Sequence, residues 1–190
     1  MNYHLIVQPL DCDYSFLEDI GRKSVGVYES RIRSFEVLQR RTLPDRLVIR
    51  PRSFLAKLLM RGRRMIYLDE LTEELKNHWI YNPRKLMLVV LPHFVIGFGH
   101  DLAGLSLESN MSIISTYGIG ERHLPQACVG LALHEIGHNL GLRHCKTKNC
   151  LMRAPCKPKN FYEKIHWLCS EHRNEFLIVS YTNSNMQVHN

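Results

Sequence analysis

The sequence lacks an apolar run of the roughly 18 to 20 residues that a bilayer-spanning helix requires. Its longest apolar stretch, residues 86–98, is interrupted by Pro92, His93 and Gly97, and it is better explained as a buried strand with its exit loop. Residues 1–10 lack a basic start, a long apolar core and a cleavage signal. We therefore expect neither membrane insertion nor export, and the predicted location is cytoplasmic.

Internal repeats and low-complexity segments are also absent, which excludes solenoid and fibrous architectures. A chain of 190 residues with 45% hydrophobic residues can bury one good core, so we expect a single domain over residues 1–190 that acts as a monomer. Within it, an upper α/β subdomain is predicted over 1–141, a lower subdomain over 142–182 and a flexible tail over 183–190.

Six cysteines are present without any signal that would route the chain to an oxidising compartment. Disulfides are therefore not expected, and cysteines in a cytosolic protein are more often metal ligands. Cys12 and Cys128 match no ligand spacing, so both are predicted to be buried core residues.

A run with the sequence HEIGHNLGLRHC contains the pattern of a catalytic zinc site. One helical turn is about 3.6 residues, so His134 and His138 lie on one helix face and can bind the same ion. Glu135 is placed to act as general base toward a metal-activated water. Glycine adopts the left-handed conformation that ends a helix, so Gly141 lets the chain fold back and bring His144 to the metal. Three protein ligands leave one position open, which is the catalytic arrangement.

The pattern continues beyond His144 with Cys145, Cys150 and Met152, and specifying eight positions lowers its chance frequency to about 10⁻⁸ to 10⁻⁹ per chain. The string His-Glu-x-x-His-x-x-Gly-x-x-His-Cys-x4-Cys-x-Met resembles the archaemetzincins, a branch of the metzincin zinc peptidases. The resemblance implies a metzincin-like α/β fold: a twisted mixed β-sheet with an antiparallel edge strand, a buried zinc-binding active-site helix and an irregular zinc-stabilised C-terminal subdomain. It also implies that Met152 forms the Met-turn, an apolar floor beneath the three histidines.

The same resemblance implies a second, structural zinc held by Cys145, Cys150, Cys169 and His172. The archaemetzincin pattern has cysteine as the last of these ligands, and here histidine stands in its place. Histidine is an equally good zinc donor, so a Cys3His set is chemically sound. Cys156 has no place in the pattern and is the alternative fourth ligand. Two zinc ions per chain are expected.

Hydrophobic periodicity and turn residues predict the remaining elements. Strands are predicted over residues 3–7, 32–37, 86–91, 103–107 and 111–116. Helices are predicted over 13–27, with Asp13 or Ser15 as the cap, and over 53–59, 67–78 and 127–140. The run 86–91 lacks polar alternation, so it is predicted to be a central strand covered on both faces. Residues 161–168 are predicted to form one short helix or strand, and 175–181 a further apolar element.

The strands at 103–107 and 111–116 predict a hairpin near the zinc helix. In metzincins, to which this arrangement is similar, an antiparallel edge strand binds the substrate as an added strand, and residues 103–107 are the candidate. Such pairing uses main-chain hydrogen bonds and reads little of the peptide sequence. Gly104 would let a substrate backbone approach closely, and the alternative is an ordinary edge strand with a glycine kink.

The excess of positive charge is concentrated in residues 31–64, where eleven Lys or Arg residues are opposed only by Glu36 and Asp45, a net charge of +9 in a chain of +7. A basic patch can bind the phosphates of nucleic acid or attract acidic peptides. This patch lacks aromatic interleaving and any groove-binding motif. We therefore expect a solvated arginine-rich face and no nucleic acid partner.

The predicted function is zinc-dependent hydrolysis of peptide bonds in a peptide or protein substrate. His134, His138 and His144 would hold the catalytic zinc, and Glu135 would take a proton from the attacking water and pass it to the leaving amine. Two alternatives remain open from the sequence. One is a non-catalytic, zinc-stabilised protein that binds nucleic acid or another protein. The other is a zinc amidohydrolase that acts on a non-peptide substrate.

Overall fold

A five-stranded β-sheet with helices on both faces organises the chain. The computed structural model describes residues 2–47, 49, 64–79, 81–97, 103–107, 110–164 and 167–175. The predicted helix over 53–59, most of the predicted element over 175–181, the predicted tail over 183–190 and part of the basic segment over 31–64 lie outside the described residues.

The strands of the described residues form two sheets. In chain order they are β1 (Tyr3–Pro9), β2 (Ile32–Val37), β3 (Met65–Tyr67), β4 (Lys85–Leu91), β5 (Phe94–Ile96), β6 (Gly104–Leu107) and β7 (Met111–Ser115). The main sheet has the order β2-β1-β4-β7-β6, and its neighbours are parallel except for the antiparallel outer pair β7 and β6. Strands β3 and β5 form a separate parallel pair. The mixed sheet with one antiparallel edge strand confirms the predicted fold class.

Strand β4 lies between β1 and β7, and its apolar run is buried from Leu86 to the end of the strand. Successive side chains of a strand point to opposite faces, so a strand that packs on both faces needs an unbroken apolar run. Leu86 and Leu88 belong to the core on one face, while Met87 and Val89 belong to the core on the other. The prediction of a central strand covered on both faces is confirmed.

Three helices cover the sheet in the described part of the chain. They are α1 (Leu17–Val27), α2 (Leu68–His78) and α3 (Leu124–Asn139). Buried residues of α1 and α3 share one core with one face of the sheet, and Leu71 and Leu75 of α2 lie in the core of the opposite face. None of these helices combines the length and the apolar character that a bilayer crossing requires.

The predicted cap of α1 is wrong. The helix begins at Leu17 after Phe16, and no side chain caps its first turn. Tyr14 stacks on Phe16 with ring centroids 4.8 Å apart, and its hydroxyl lies 2.8 Å from the Thr116 hydroxyl. The local ring stacking and the long-range contact with Thr116 fix the segment before the helix, and local capping preference is overridden.

Helix α3 is buried from Ala127 to Gly137, as expected for a helix that is apolar around most of its circumference. Pro125 lies in its first turn, where the missing N–H removes no helical hydrogen bond. Gly141 follows the helix with φ of 93°, a conformation that favours glycine, and the chain reverses there as predicted.

Beyond Gly141 the chain is irregular. A short 3₁₀ turn (Pro158–Phe161) and a helical segment over 170–175 are the regular pieces among the described residues of this part. The prediction of one helix or strand over 161–168 is wrong, since Phe161 ends the 3₁₀ turn and Trp167 forms a single bridge with Cys150. The cysteine-rich loops are joined by isolated bridges, and their described residues form no extended strand pairing.

Candidate active site

Three imidazole rings converge at the carboxyl end of α3. The Nε2 atom of His138 lies 3.1 Å from Nε2 of His134 and 3.2 Å from Nε2 of His144. Tetrahedral zinc with Zn–N bonds of about 2.0–2.1 Å places its nitrogen ligands about 3.3–3.4 Å apart. The structure therefore brings together the three predicted catalytic ligands, with two separations close to those expected around one zinc ion.

Backbone carbonyls orient two of these rings. His134 Nδ1 donates a hydrogen bond to the Leu151 carbonyl at 2.8 Å, and His138 Nδ1 donates to the Leu142 carbonyl at 2.9 Å. A carbonyl oxygen can only accept, so the proton of each neutral ring is on Nδ1 and the lone pair is on Nε2. The lone pairs are thus directed at the shared point between the rings.

The electrostatic surroundings keep these imidazoles neutral. Burial lowers the pKa of His134 to about 4, although the hydrogen bond to Leu151 opposes this change. Burial also lowers the pKa of His138. Only a neutral imidazole has a lone pair for a metal, so both rings are in the ligating form at neutral pH.

Glu135 lies beside the histidines and is 6% exposed. Burial raises the pKa of its carboxyl to about 7, and a hydrogen bond from the Ser106 backbone N–H partly offsets this. The carboxylate also lies against Gly104, because a Cβ atom at that position would be only 2.8 Å from Glu135 Oε1. The close approach that requires glycine at 104 is therefore made by a side chain of the protein itself, and an approach by a substrate backbone stays a prediction.

Asn139 attaches the outer hairpin to helix α3, and the sequence interpretation did not identify it. Its side-chain oxygen accepts a hydrogen bond from the Ser106 hydroxyl, and its nitrogen donates to the Ser112 hydroxyl at 2.7 Å. Gly104 and Ser106 of strand β6 both lie against the Glu135 carboxylate. The link through Asn139 therefore fixes the strand relative to that carboxylate. The position of Asn139 directly after His138 was the available signal, but its partners depend on the packing of the hairpin.

Met152 and Tyr28 lie beneath the turn of α3 that joins two of the histidines. Met152 is fully buried, and its sulfur is so close to Gly137 that a Cβ atom there would lie 2.6 Å away. The Tyr28 hydroxyl donates to the Leu133 carbonyl at 2.6 Å and reaches the same glycine. Met152 thus lies where an apolar floor under the helix was expected, and Tyr28 is an addition that only the fold reveals.

The four residues of the predicted second site also come together. The sulfur atoms of Cys145 and Cys169 are 3.8 Å apart, and His172 Nδ1 lies 3.5 Å from the Cys150 sulfur and 3.2 Å from the Cys169 sulfur. Zinc bound by thiolates at about 2.3 Å separates the sulfurs by about 3.8 Å. His172 Nε2 donates to the Arg143 carbonyl at 3.1 Å, which leaves the Nδ1 lone pair for a metal.

Cys156 does not join this cluster. Its sulfur lies within 4.8 Å of donor atoms of His134 and Glu135, and so belongs with the histidine site. Burial raises the pKa of its thiol far above the usual range. The alternative in which Cys156 replaces His172 is therefore wrong, because His172 lies with the other three cysteines and Cys156 lies with His134 and Glu135.

The histidine site and the Cys3His cluster are connected through backbone hydrogen bonds of the same loop. The Leu151 carbonyl that accepts from the His134 ring belongs to the residue after Cys150, and the Leu151 N–H donates to the Trp167 carbonyl at 2.9 Å. The Cys145 N–H donates to the Met152 carbonyl at 2.8 Å. The geometry around His134 therefore depends on the fold of the cysteine-rich loops.

The remaining two cysteines lie in the core, as predicted. Cys12 and Cys128 are buried, and the Cys12 thiol donates to the Val90 carbonyl at 3.3 Å. Burial raises the pKa of each thiol to about 12. Among the described residues, neither thiol belongs to a group of donor atoms that could hold a metal.

Comparison with protein families places the motif in a known context. The model of Peptidase family M54 matches residues 121–176, which include all the residues of both clusters. A search of curated proteins finds no match.

Comparison with solved structures extends to nearly the whole chain. Archaemetzincin from Methanopyrus kandleri is 17% identical, with 93% of this chain and 94% of that chain covered and a TM-score of 0.65. Archaemetzincin from Archaeoglobus fulgidus, complexed with malonate, is 20% identical, with 90% and 98% covered and a TM-score of 0.63. This confirms the predicted resemblance to the archaemetzincins.

A zinc-dependent peptidase from Methanocorpusculum labreanum has the same archaemetzincin-like fold at 17% identity, with 91% of this chain and 99% of that chain covered and a TM-score of 0.62. At such identities the likeness establishes the fold. The M54 match over the metal-binding segment adds support for peptidase chemistry, and the donor sets described above are suited to zinc.

Proposed function

We propose that the chain is a zinc-dependent metallopeptidase of the metzincin type. The observation that carries the proposal is the convergence of three imidazoles: the Nε2 atoms of His134 and His144 both lie within 3.2 Å of His138 Nε2. The buried carboxylate of Glu135 follows His134 on the same helix. The M54 match over residues 121–176 supports peptide bonds as the substrate class.

In this proposal His134, His138 and His144 hold the catalytic zinc through Nε2. Zinc in this site would supply Lewis acidity, which polarises a carbonyl and makes a water molecule acidic near neutral pH. Glu135 takes the proton of the attacking water on a carboxylate oxygen and passes it to the nitrogen of the leaving amine. The Ser106 N–H and Gly104 hold the carboxylate in place for both transfers.

The outer strand β6 is the proposed binding edge for the peptide. Its inner edge pairs with β7, and its Ser106 N–H faces Glu135, so the strand borders the carboxylate directly. A peptide that lies along this strand would be held through its backbone, with little dependence on side chains.

A second zinc, held by Cys145, Cys150, Cys169 and His172, completes the proposal. The separations of their donor atoms fit one tetrahedral ion, and the described residues around the cluster form only isolated bridges. Such an ion would contribute folding free energy to the lower subdomain.

The test compares wild type with Glu135→Gln at matched zinc content on a peptide library read by mass spectrometry. We expect the rate of cleavage to fall by about 10²- to 10⁴-fold in Glu135→Gln, because the general base is lost while the ligands remain. Glu163→Gln, at an exposed position, is the matched control and should cleave like wild type.

Other outcomes would replace the proposal. Equal cleavage by wild type and Glu135→Gln would remove Glu135 from the mechanism. No peptide cleavage by either protein, together with Glu135-dependent hydrolysis of a non-peptide amide, would identify an amidohydrolase. Absence of both activities in zinc-loaded protein would support a binding protein.

A further inference from the structure

Cys156 is a buried thiol that the proposed mechanism does not use. Its side chain is 6% exposed and belongs to the core that α3 shares with one face of the sheet. In the described part of the chain its thiol has no hydrogen-bond partner, whereas the core thiol of Cys12 donates to the Val90 carbonyl. The Cys156 sulfur is therefore available to a soft metal ion, for which thiolate is a preferred ligand.

Donor atoms of His134 and Glu135 lie beside this sulfur. A nitrogen, a carboxylate oxygen and the sulfur all lie within 4.8 Å of one another, and none of the three residues is more than 6% exposed. Burial raises the pKa of the Cys156 thiol above its usual range, and the nearby charge of Glu135 adds to this. The thiol thus keeps its proton until a metal ion displaces it.

His134 has one lone pair to offer. Its Nδ1 donates to the Leu151 carbonyl at 2.8 Å, so the lone pair is on Nε2. The same Nε2 atom lies 3.1 Å from Nε2 of His138 in the histidine site. An ion held together with Glu135 and Cys156 would therefore take His134 away from the other two histidines.

We propose that His134, Glu135 and Cys156 form an alternative metal site for a thiophilic divalent cation such as cadmium. Imidazole nitrogen, carboxylate oxygen and thiolate sulfur supply three ligands, and a water molecule completes four. The thiolate favours a soft ion, whereas the three imidazoles of the histidine site suit zinc. On binding, the metal–sulfur bond forms as the S–H bond breaks, and the proton leaves to solvent.

An ion in this alternative site blocks hydrolysis in two ways. Glu135 coordinated to the ion cannot accept the proton of the attacking water, and His134 no longer completes the catalytic ligand set. The site is therefore an inhibitory position for metal. The inhibition rests on the proposed peptidase function, whereas the binding of metal does not depend on it.

The experiment titrates zinc-loaded full-length protein with isotopically enriched cadmium chloride and follows it by cadmium NMR. Cadmium bound by one thiolate, by three thiolates and by three imidazoles gives separate signals in such spectra. We expect the one-thiolate signal in wild type and its loss in Cys156→Ser. Cys128→Ser is the matched control, since Cys128 is also buried but belongs to neither donor group, and it should keep the signal.

Peptide cleavage and total metal are measured in the same titration, with each variant compared with its own activity before cadmium is added. We expect the cadmium concentration that halves the activity to rise at least about tenfold in Cys156→Ser, because even the loss of an outer-shell partner weakens metal binding by about 10- to 100-fold. Total metal per chain should stay constant, since cadmium at Cys156 displaces zinc from His134.

The outcomes separate this inference from the peptidase proposal. A one-thiolate signal that depends on Cys156 supports the alternative site even if no peptide is cleaved, in which case the peptidase proposal alone fails. Absence of that signal in wild type, or its persistence in Cys156→Ser, would overturn the site. Equal inhibition of wild type and Cys156→Ser would overturn its inhibitory role, and a rise in total metal would overturn the sharing of His134.

Discussion

Gly104 lies on the outer strand of the sheet, yet the group that excludes a larger residue there belongs to α3. A Cβ atom at 104 would be 2.8 Å from Glu135 Oε1 and 2.9 Å from Glu135 Cγ. Such separations are far inside van der Waals contact, so either the carboxylate or the strand would have to move. The glycine therefore determines the position of the proposed general base without taking part in the chemistry.

We predict that Gly104→Ala lowers kcat/KM by about 10- to 100-fold, because a displacement of the carboxylate by a fraction of an ångström spoils its alignment. Zinc content should stay unchanged, since residue 104 supplies none of the donor atoms of the histidine group. Peptide cleavage and elemental analysis of the same sample check both statements. Gly120→Ala is the control, because nothing lies within 4 Å of a Cβ atom there. Full activity in Gly104→Ala would contradict this account of the residue.

The convergence of the two histidines on α3 could be predicted from the sequence because helical spacing is local: four residues bring His134 and His138 to one face whatever surrounds the helix. The contacts of Cys156 and Asn139 could not be predicted. Each depends on how a loop or hairpin distant in the sequence packs against the helix, and the sequence contains no period that records such packing.

The packing of the 3₁₀ turn against α3 explains why a second position, in the middle of that helix, is occupied by glycine. Gly130 faces the 3₁₀ turn, and a Cβ atom there would lie 2.2 Å from the Phe161 ring. Alanine is the better helix former by about 1 kcal/mol, so glycine inside a helix is otherwise unfavourable. The close approach of the turn to the helix outweighs that propensity.

We predict that Gly130→Ala lowers the free energy of unfolding by about 1–3 kcal/mol through overpacking against Phe161. Gly26→Ala is the matched control, since Gly26 also lies in a helix but has nothing within 4 Å of its Cβ position. That variant should gain up to about 1 kcal/mol. Urea denaturation of both variants measures the difference. A stabilised Gly130→Ala protein would show that the turn adapts freely.

At the scale of the whole molecule, two parts of different construction meet at α3. The upper part is held by a sheet with an apolar core on each face. The lower part has isolated bridges and a cluster of three cysteines and one histidine. The first kind of order is encoded in hydrophobic periodicity, and the strands of the main sheet were predicted within two residues. The short pair of β3 and β5 was not predicted, and residues 94–96 were expected to be part of an exit loop. The second depends on side-chain chemistry, which explains why the prediction for 161–168 was wrong.

We predict two zinc ions per chain in wild type and one in Cys169→Ser, because removal of a thiolate dismantles the second donor set. The remaining ion should be held more weakly than in wild type, since the Leu151 carbonyl that orients His134 is tethered through Trp167. Elemental analysis and competition with a chromogenic chelator measure number and affinity. Cys12→Ala should retain both ions because its thiol lies in the core. A single ion in wild type would remove the second site from the proposal.

Leu151 connects the cysteine-rich cluster to His134, so oxidation of the cysteines would also affect the histidine site. Cys145 and Cys169 are both partly exposed, so peroxide reaching their sulfur would break up the loop that presents this carbonyl. The ring of His134 would then lose its only anchoring acceptor among the described contacts. Oxidation of the cysteine sulfurs would in this way abolish the activity of the proposed site, although its own donor groups are nitrogen and oxygen atoms.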